Sequence, residues 1–141
     1  PEENLVFHQF PVRELASYRQ EILEELMKVK REFRPDLVFC PNSSDFHQDH
    51  KVIYKEARRA FKDVTLIGYS LPWNQTFEQT HLVGKISKSD LLFKIKLLSC
   101  YETQSHRKYM DPTIIESIAR TKAIKHSFEF AETFEVINAV I

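Results

Sequence analysis

Glycine is nearly absent from this sequence. Only 2 of its 141 residues are glycine, whereas average usage would supply about ten in a chain of this length. Glycine-rich loops that bind phosphate need several glycines at fixed spacings, because the backbone must turn sharply and approach the phosphate closely. The sequence therefore excludes both a dinucleotide-binding glycine loop and a nucleotide-triphosphate P-loop.

Cysteine, excess charge and long apolar runs are also missing. Cys40 and Cys100 are too few for a disulfide framework, and we expect both to be free, buried thiols. Basic and acidic residues balance at 20 each, so there is no electrostatic attraction for nucleic acid or an anionic membrane. No apolar run reaches the roughly 20 residues of a membrane span, and no signal peptide is visible. We therefore expect a cytoplasmic protein without nucleic-acid or membrane partners.

The first half of the chain alternates between strand and helix patterns. Hydrophobic residues make up 43% of the 141 residues, which suits one globular domain. The predicted elements are a strand at 5–8, a helix at 13–33, a strand at 37–40, a helix at 49–61 and a strand at 65–69. The continuous apolar run 37–40 is typical of a strand buried on both faces of a parallel sheet. This order predicts an α/β fold with a Rossmann-like, mostly parallel sheet flanked by helices.

The second half is less regular, but two helix starts are well marked. Ser87 and Asp90 form a capping-box pattern, which predicts a helix from about Lys88. Asp111 followed by Pro112 is typical of an N-cap with proline at the first helical position, and predicts a helix to about residue 125. We also expect strands at 82–86 and within 128–140.

Four residues with metal-binding or acid–base side chains lie close together after the second predicted strand. They are Asp45, His47, Asp49 and His50. Imidazole and carboxylate groups are the usual non-thiolate ligands of zinc. His47 and His50 are three residues apart, so a helix starting near His47 would place both rings on one face. Spacing alone leaves a second interpretation open, in which Asp45 caps the helix and both histidines are solvated.

A family resemblance adds to this pattern. Pro35-Asp36, the apolar run 37–39 and then Asp45-x-His47-x-Asp49-His50 resemble the second signature of the PIG-L/LmbE-like N-acetylglucosaminyl deacetylases. Further segments are similar to that family in the same order, namely 10–13, 19–21, 68–74, 96–104 and 130–136. The resemblance covers nearly the whole chain and implies a single deacetylase domain over residues 1–141.

The resemblance implies metal-dependent hydrolysis of the N-acetyl group of an N-acetylglucosamine-type amino sugar, with zinc as the cofactor. It implies that His50 is a metal ligand and that His47 stabilises the oxyanion or donates a proton. Asp49 would orient the catalytic histidine, and Asp45 would shape the loop. A bound zinc lowers the pKa of its water towards about 7 and polarises the acetyl carbonyl.

One family element is absent from the chain. The first signature, an HPDDE-like motif after the first strand, supplies a histidine and an aspartate as metal ligands and a second aspartate as general base. No His-Pro-Asp-Asp sequence occurs here. Catalytic zinc needs three protein ligands, so we expect the domain to be N-terminally incomplete, to bind zinc poorly and to be inactive alone. A missing first strand would also leave a sheet edge open, and a homo-oligomer is one expected consequence.

Several other residues are candidates for contacts with the sugar. Trp73 and Asn74 follow Pro72, where an aromatic face can pack on a sugar ring, although a half-buried tryptophan in a turn is an equal alternative. Tyr101 is a further candidate, although a role in the core or at a helix end is the favoured alternative for it. Arg13 is a candidate for contact with an anionic part of the substrate.

Two other functions stay open at this point. The chain can be a non-catalytic carbohydrate-binding or scaffold homologue that lacks the first motif. It can also be an unrelated α/β domain in which the histidines and aspartates lie together by chance on the surface.

Overall fold

A computed structural model describes residues 5–140 of the chain. Its helices and strands are, in order, α1 (Arg19–Phe33), β1 (Leu37–Pro41), α2 (Gln48–Ala60), β2 (Thr65–Tyr69), β3 (Leu82–Ile86), α3 (Lys88–Ser99), α4 (Pro112–Ala123) and β4 (Phe130–Asn138). Short 3-10 turns connect several of them. None of the helices in this part of the chain is long and apolar enough to cross a membrane.

The strands form one mixed sheet in the order β1-β2-β4-β3. β1 and β2 are parallel, with Leu37 opposite Thr65 and Pro41 opposite Tyr69. β3 and β4 are antiparallel. The parallel pair joined by α2 is the β-α-β unit that alternating strand and helix patterns predict. The α/β class is confirmed.

The described residues divide into two compact units. The first comprises residues 5–78 and 136–140, and the second comprises residues 79–135. The prediction of a single functional domain over the whole chain stays a prediction.

The core of the first unit lies between α2 and the parallel strands. Ala57, Ala60 and Phe61 pack with Cys40 and Leu66, all of them buried. Small alanine side chains on this face of α2 let the helix lie close to the sheet, since close packing requires matched volumes. This packing fixes the N-terminal end of α2 beside the loop that follows β1.

The second unit confirms both predicted helix starts. The Ser87 hydroxyl accepts from the Asp90 backbone while the Asp90 carboxylate accepts from the Ser87 backbone, a complete capping box. The Asp111 carboxylate accepts from the Thr113 backbone, and Pro112 opens α4. The core of this unit is formed by Leu91, Ile115, Ala119 and Phe130.

Two predictions about the N-terminal part of the first unit are wrong in detail. Residues 5–8 form no strand, and Leu5, Val6 and Phe7 are exposed there. A β-forming sequence becomes a strand only when a neighbouring strand pairs with it. The first α-helix begins at Arg19 and not at 13, because Arg13 has a positive φ of 70° and a 3-10 turn precedes Arg19.

β1 and the second cysteine also depart from expectation. Leu37 and Phe39 are 48% and 54% exposed, so β1 is not buried on both faces. The physical reason is the alternation of side chains along a strand: Val38 and Cys40 pack against α2, whereas Leu37 and Phe39 lie on the opposite face, which the described residues leave exposed. Both cysteines were expected to be buried thiols, but only Cys40 is buried and Cys100 is exposed.

Candidate functional site

The loop between β1 and α2 carries the candidate site. It follows the carboxyl end of a parallel strand, where open α/β sheets bind their ligands. The Asn42 backbone donates to the Tyr69 carbonyl at 3.3 Å, and the Phe46 backbone donates to the Asn74 carbonyl at 2.9 Å. The loop is thus tied to the segment that follows β2, as adjacent parallel strands with ends in register require.

Asp45 lies at the centre of this loop. Its side chain is buried, with 2% of the residue exposed. Oδ1 accepts the backbone N–H of His47 at 2.8 Å. Oδ2 lies 2.7 Å from Nδ1 of the His50 ring. One carboxylate therefore contacts both histidines of the motif, one through its backbone and the other through its ring.

The two histidine side chains lie next to each other, as their spacing predicts. Their ring centroids are 4.5 Å apart with an interplanar angle of 31°. His47 is the N-cap of α2, and its Nδ1 accepts the backbone N–H of Asp49 at 3.2 Å. His50 lies in the first turn of the helix. The structure thus brings two imidazoles to the amino end of α2, where the helix dipole favours developing negative charge.

Asp49 is buried beside them but makes a different contact from the one the resemblance implies. Oδ2 accepts the backbone N–H of Arg13 at 2.8 Å. Oδ1 has no hydrogen-bond partner among the described residues. The Gln48 side chain donates to the Arg13 carbonyl at 2.5 Å. These bonds hold Arg13 in its left-handed conformation against the start of α2, and the role of Asp49 in orienting a histidine stays a prediction.

The remaining predicted residues lie at different distances from this loop. Trp73 and Asn74 belong to the turn Pro72–Asn74, whose Asn74 carbonyl is bonded to the loop backbone. Trp73 is partly exposed at 37%. Tyr101 is exposed and belongs to the second unit. The substrate-binding roles of Arg13, Trp73, Asn74 and Tyr101 stay predictions.

Sequence reasoning missed four polar residues around the loop. Asn42 is buried, and its Oδ1 accepts from the Ser44 hydroxyl at 3.2 Å. Gln75 accepts from the Ser70 hydroxyl, and its Nε2 is buried without a partner among the described residues. The predicted parallel pairing of the two strands could have identified them, because polar residues that follow two adjacent parallel strands meet at the same edge of the sheet.

Tyr69, at the carboxyl end of β2, was also missed. Burial raises the pKa of its phenol above the ordinary 10.0, and the repulsion that a phenolate would meet from an ionised Cys40 thiol and from the Asp45 carboxylate raises it further. The phenol is therefore protonated at neutral pH and available as a hydrogen-bond donor. Its partner strand residue in the register is Pro41, directly before the loop.

The side chains of this loop can supply one ligand of a metal site but not a complete set of ligands. Within the described residues, no group of three histidine, cysteine, aspartate or glutamate side chains is placed to hold an ion. His50 has the arrangement common to metal-binding histidines, with one ring nitrogen bonded to a buried carboxylate and the other left for the ion. A metal bound here needs further ligands from outside this group.

Solved structures share the fold of the chain. The zinc-inhibited form of teicoplanin deacetylase Orf2 matches with a TM-score of 0.70 and 17% identity, over 93% of this chain and 55% of that one. N,N'-diacetylchitobiose deacetylase from Pyrococcus horikoshii matches at 0.54 and 17%, over 84% and 51%. The 4-carboxy-2-hydroxymuconate hydratase GalB from Pseudomonas putida KT2440 matches at 0.68 and 13%, over 86% and 60%. The chain thus spans between half and two thirds of each of these proteins.

The sequence match is confined to the first part of the chain. No match was found among curated proteins. Residues 3–61 match the model of the family PIG-L, described as GlcNAc-PI de-N-acetylase, and this segment contains β1, α2 and the whole loop between them. The resemblance seen in the motif is confirmed, and the chain carries the PIG-L family segment that includes Asp45, His47, Asp49 and His50.

Proposed function

We propose that this chain is part of a metal-dependent deacetylase that hydrolyses the N-acetyl group of an N-acetylglucosamine-type amino sugar. The observation that carries the proposal is the pair of adjacent imidazoles, held by Asp45 at the end of β1, within the segment that matches the family. Two of the structures with the same fold are deacetylases. The family match excludes the alternative of an unrelated α/β domain.

The two histidines of the loop have different roles in the proposed amide hydrolysis. His50 offers a ring nitrogen as a zinc ligand, and zinc would supply Lewis acidity at the acetyl carbonyl and an activated water. His47, at the amino end of α2, is placed to donate a hydrogen bond to the oxyanion that forms at that carbonyl. An oxyanion donor of this kind contributes roughly 3–4 kcal/mol in well-studied enzymes.

Fold alone does not select this reaction. A hydratase shares the architecture of the chain at nearly the same structural similarity as a deacetylase. Function follows from the groups in the site and not from the fold that carries them. The family segment and its paired histidines are therefore the support for an amide substrate.

We propose further that the described residues form a half-site. A catalytic zinc site uses three protein ligands and one open position. His50 has the arrangement of one such ligand. The other two ligands and the general base would come from residues outside this chain, and the 141-residue chain alone would be inactive.

Metal analysis tests the half-site. We expect the purified chain to hold close to no zinc after zinc addition and dialysis, and to release no acetate from N-acetylglucosamine derivatives. A longer chain that includes an upstream HPDDE-type segment should bind about one zinc per chain and deacetylate. His50→Ala should abolish both properties in the longer chain, whereas His126→Ala, a change at an exposed histidine stacked on Phe128, should alter neither.

Two results would contradict this proposal at different points. If the 141-residue chain binds zinc stoichiometrically or deacetylates on its own, the half-site is wrong. If the longer chain binds zinc through His50 but releases no acetate from any N-acetylated amino sugar, the proposed metal site is supported and the proposed reaction is wrong.

A non-catalytic carbohydrate-binding homologue is the second candidate. The absence of a three-residue metal group among the described residues favours it. In that case the chain alone should bind N-acetylglucosamine oligosaccharides in calorimetry without zinc. Trp73→Ala should weaken that binding, because an aromatic face supplies much of the contact with a sugar ring.

A further inference from the structure

Asp45 makes two hydrogen bonds of different kinds with its two oxygens. Oδ1 accepts the His47 backbone N–H, which is a common turn bond at the start of a helix. Oδ2 meets the His50 ring at 2.7 Å. A carboxylate accepts hydrogen bonds and donates none, so the proton in the second contact belongs to His50 Nδ1. Its other ring nitrogen, Nε2, then carries the lone pair.

The neighbouring ring is held in the opposite way. His47 Nδ1 accepts the Asp49 backbone N–H, because a backbone amide can only donate. A neutral His47 ring therefore carries its proton on Nε2. Two rings with centroids 4.5 Å apart thus present different groups, an N–H from His47 and a lone pair from His50.

We propose that Asp45 is a positioning residue that sets the tautomer of His50, so that the loop presents one donor and one acceptor side by side. The proposal rests on the proposed function, because it gives each histidine the protonation state that its role needs. A lone pair on His50 Nε2 suits a metal ligand, and an N–H on His47 Nε2 suits an oxyanion donor.

A simpler role for Asp45 is to cap the loop and nothing more. Asp111 provides the comparison within the same chain. Its Oδ1 accepts the Thr113 backbone N–H at 2.8 Å, the same turn bond that Asp45 makes, and no histidine ring contacts Asp111 among the described residues. A capping role predicts that the two aspartates respond alike to the same substitution.

Asp45→Asn separates the two roles. The asparagine Oδ1 can keep the bond to the His47 backbone, and its amide nitrogen then faces His50 Nδ1. An amide nitrogen only donates, so His50 must accept at Nδ1 and move its proton to Nε2. Asp111→Asn is the matched control, which keeps its own turn bond and should leave both histidines unchanged.

The experiment reads the protonated nitrogen of each ring by long-range proton–nitrogen NMR on the uniformly nitrogen-15-labelled, metal-free chain. Spectra are recorded at a pH at which both rings show the nitrogen shifts of neutral imidazole. Signals are assigned with His47→Ala and His50→Ala. We expect protonated Nδ1 at His50 and protonated Nε2 at His47 in the wild-type chain, and the loss of the Nδ1 proton at His50 in Asp45→Asn alone.

Either of two outcomes overturns the proposal. One is a wild-type His50 protonated at Nε2, a measurement that needs no variant and holds even if Asp45→Asn fails to fold. The other is a folded Asp45→Asn chain in which His50 keeps its Nδ1 proton. Neither reading involves metal or substrate, so a failure of deacetylation in the longer chain would leave this result unaffected.

Discussion

Arg34 occupies a position where most proteins place glycine. It follows the last turn of α1 with φ 47° and ψ 56°, and its backbone N–H donates to the Lys30 carbonyl. This is the left-handed cap at which glycine is preferred, because a Cβ atom there crowds the backbone. The strain amounts to roughly 1–2 kcal/mol for a residue with a side chain. The scarcity of glycine in the sequence thus has a local energetic cost.

Arg34→Gly should stabilise the chain. Glycine relieves the strain of the left-handed conformation. It also raises the entropy of the unfolded chain, which lowers the stability by about 0.4–1 kcal/mol. The first effect is larger, so we expect the free energy of unfolding to rise by roughly 0.5 kcal/mol. Urea denaturation would measure the free energy of unfolding. Arg34→Ala is the control, since it removes the same exposed side chain but keeps the Cβ atom. Equal stabilisation by alanine would show that the side chain, and not the backbone conformation, is responsible.

Residue spacing predicted part of the candidate site and not its hydrogen bonds. The proximity of His47 and His50 follows from their spacing at a helix start, and the structure has them adjacent. Which carboxylate contacts which ring depends on the path of the loop before the helix. Asp45 reaches His50 because the loop bends back through its bond to the His47 backbone. The spacing of residues along the sequence does not predict that bend.

At the scale of elements, a buried carboxylate joins α1 to α2. Glu56 is fully buried. Its Oε1 accepts from Arg19 and its Oε2 accepts from Arg59, both at 2.6 Å. Because Arg19 is the first residue of α1, this contact fixes the start of one helix against the middle of the other. Two charged partners compensate the cost of burying the carboxylate.

Glu56→Gln should therefore destabilise the chain strongly. The glutamine amide would place a donor against one of the two guanidinium groups. Because Arg19 and Arg59 are about half exposed, we expect the loss typical of a charged hydrogen bond, about 1.5–3 kcal/mol. Glu116→Gln is the matched control, since Glu116 also accepts from two cations, Lys88 and Arg120, but is partly exposed. We expect a clearly smaller loss there, since ion pairs in contact with solvent contribute little. Similar losses at both positions in thermal or urea unfolding would contradict this account.

Elements with local signals were predicted well, and those that depend on distant neighbours were not. The starts of α3 and α4 are encoded by their own caps, Ser87 with Asp90 and Asp111 with Pro112. The strand expected at 5–8 had the right residue types but has no pairing strand among the described residues. Burial on the second face of β1 depends likewise on what packs against it from elsewhere.

At the scale of the whole molecule, β1 is an edge strand of the sheet that the described residues form. It ends the strand order and exposes Leu37 and Phe39. An edge strand with exposed apolar side chains tends to pair with another chain. The net charge of zero gives two copies no electrostatic reason to stay apart. Self-association through β1 is the expected result for the chain on its own.

Phe39→Lys should weaken that association. A charge on the edge strand opposes pairing with a second copy, and we expect the dissociation constant to rise at least about tenfold, which corresponds to 1.4 kcal/mol. Sedimentation velocity over a range of concentrations would measure it. Phe33→Lys is the control, because Phe33 is 55% exposed but lies at the end of α1. Equal effects would indicate general apolar contact, and a monomer at all concentrations would contradict the prediction.

The opposite exposure of the two cysteines has a practical consequence. Cys100 is exposed, whereas Cys40 is buried at the end of β1, one residue before Pro41 and the loop of the candidate site. A thiol-reactive dye added to the folded chain would modify Cys100 at once and Cys40 only when β1 opens. The rate of the second modification reports local opening at the candidate site, and the chain carries this reporter without any engineered label.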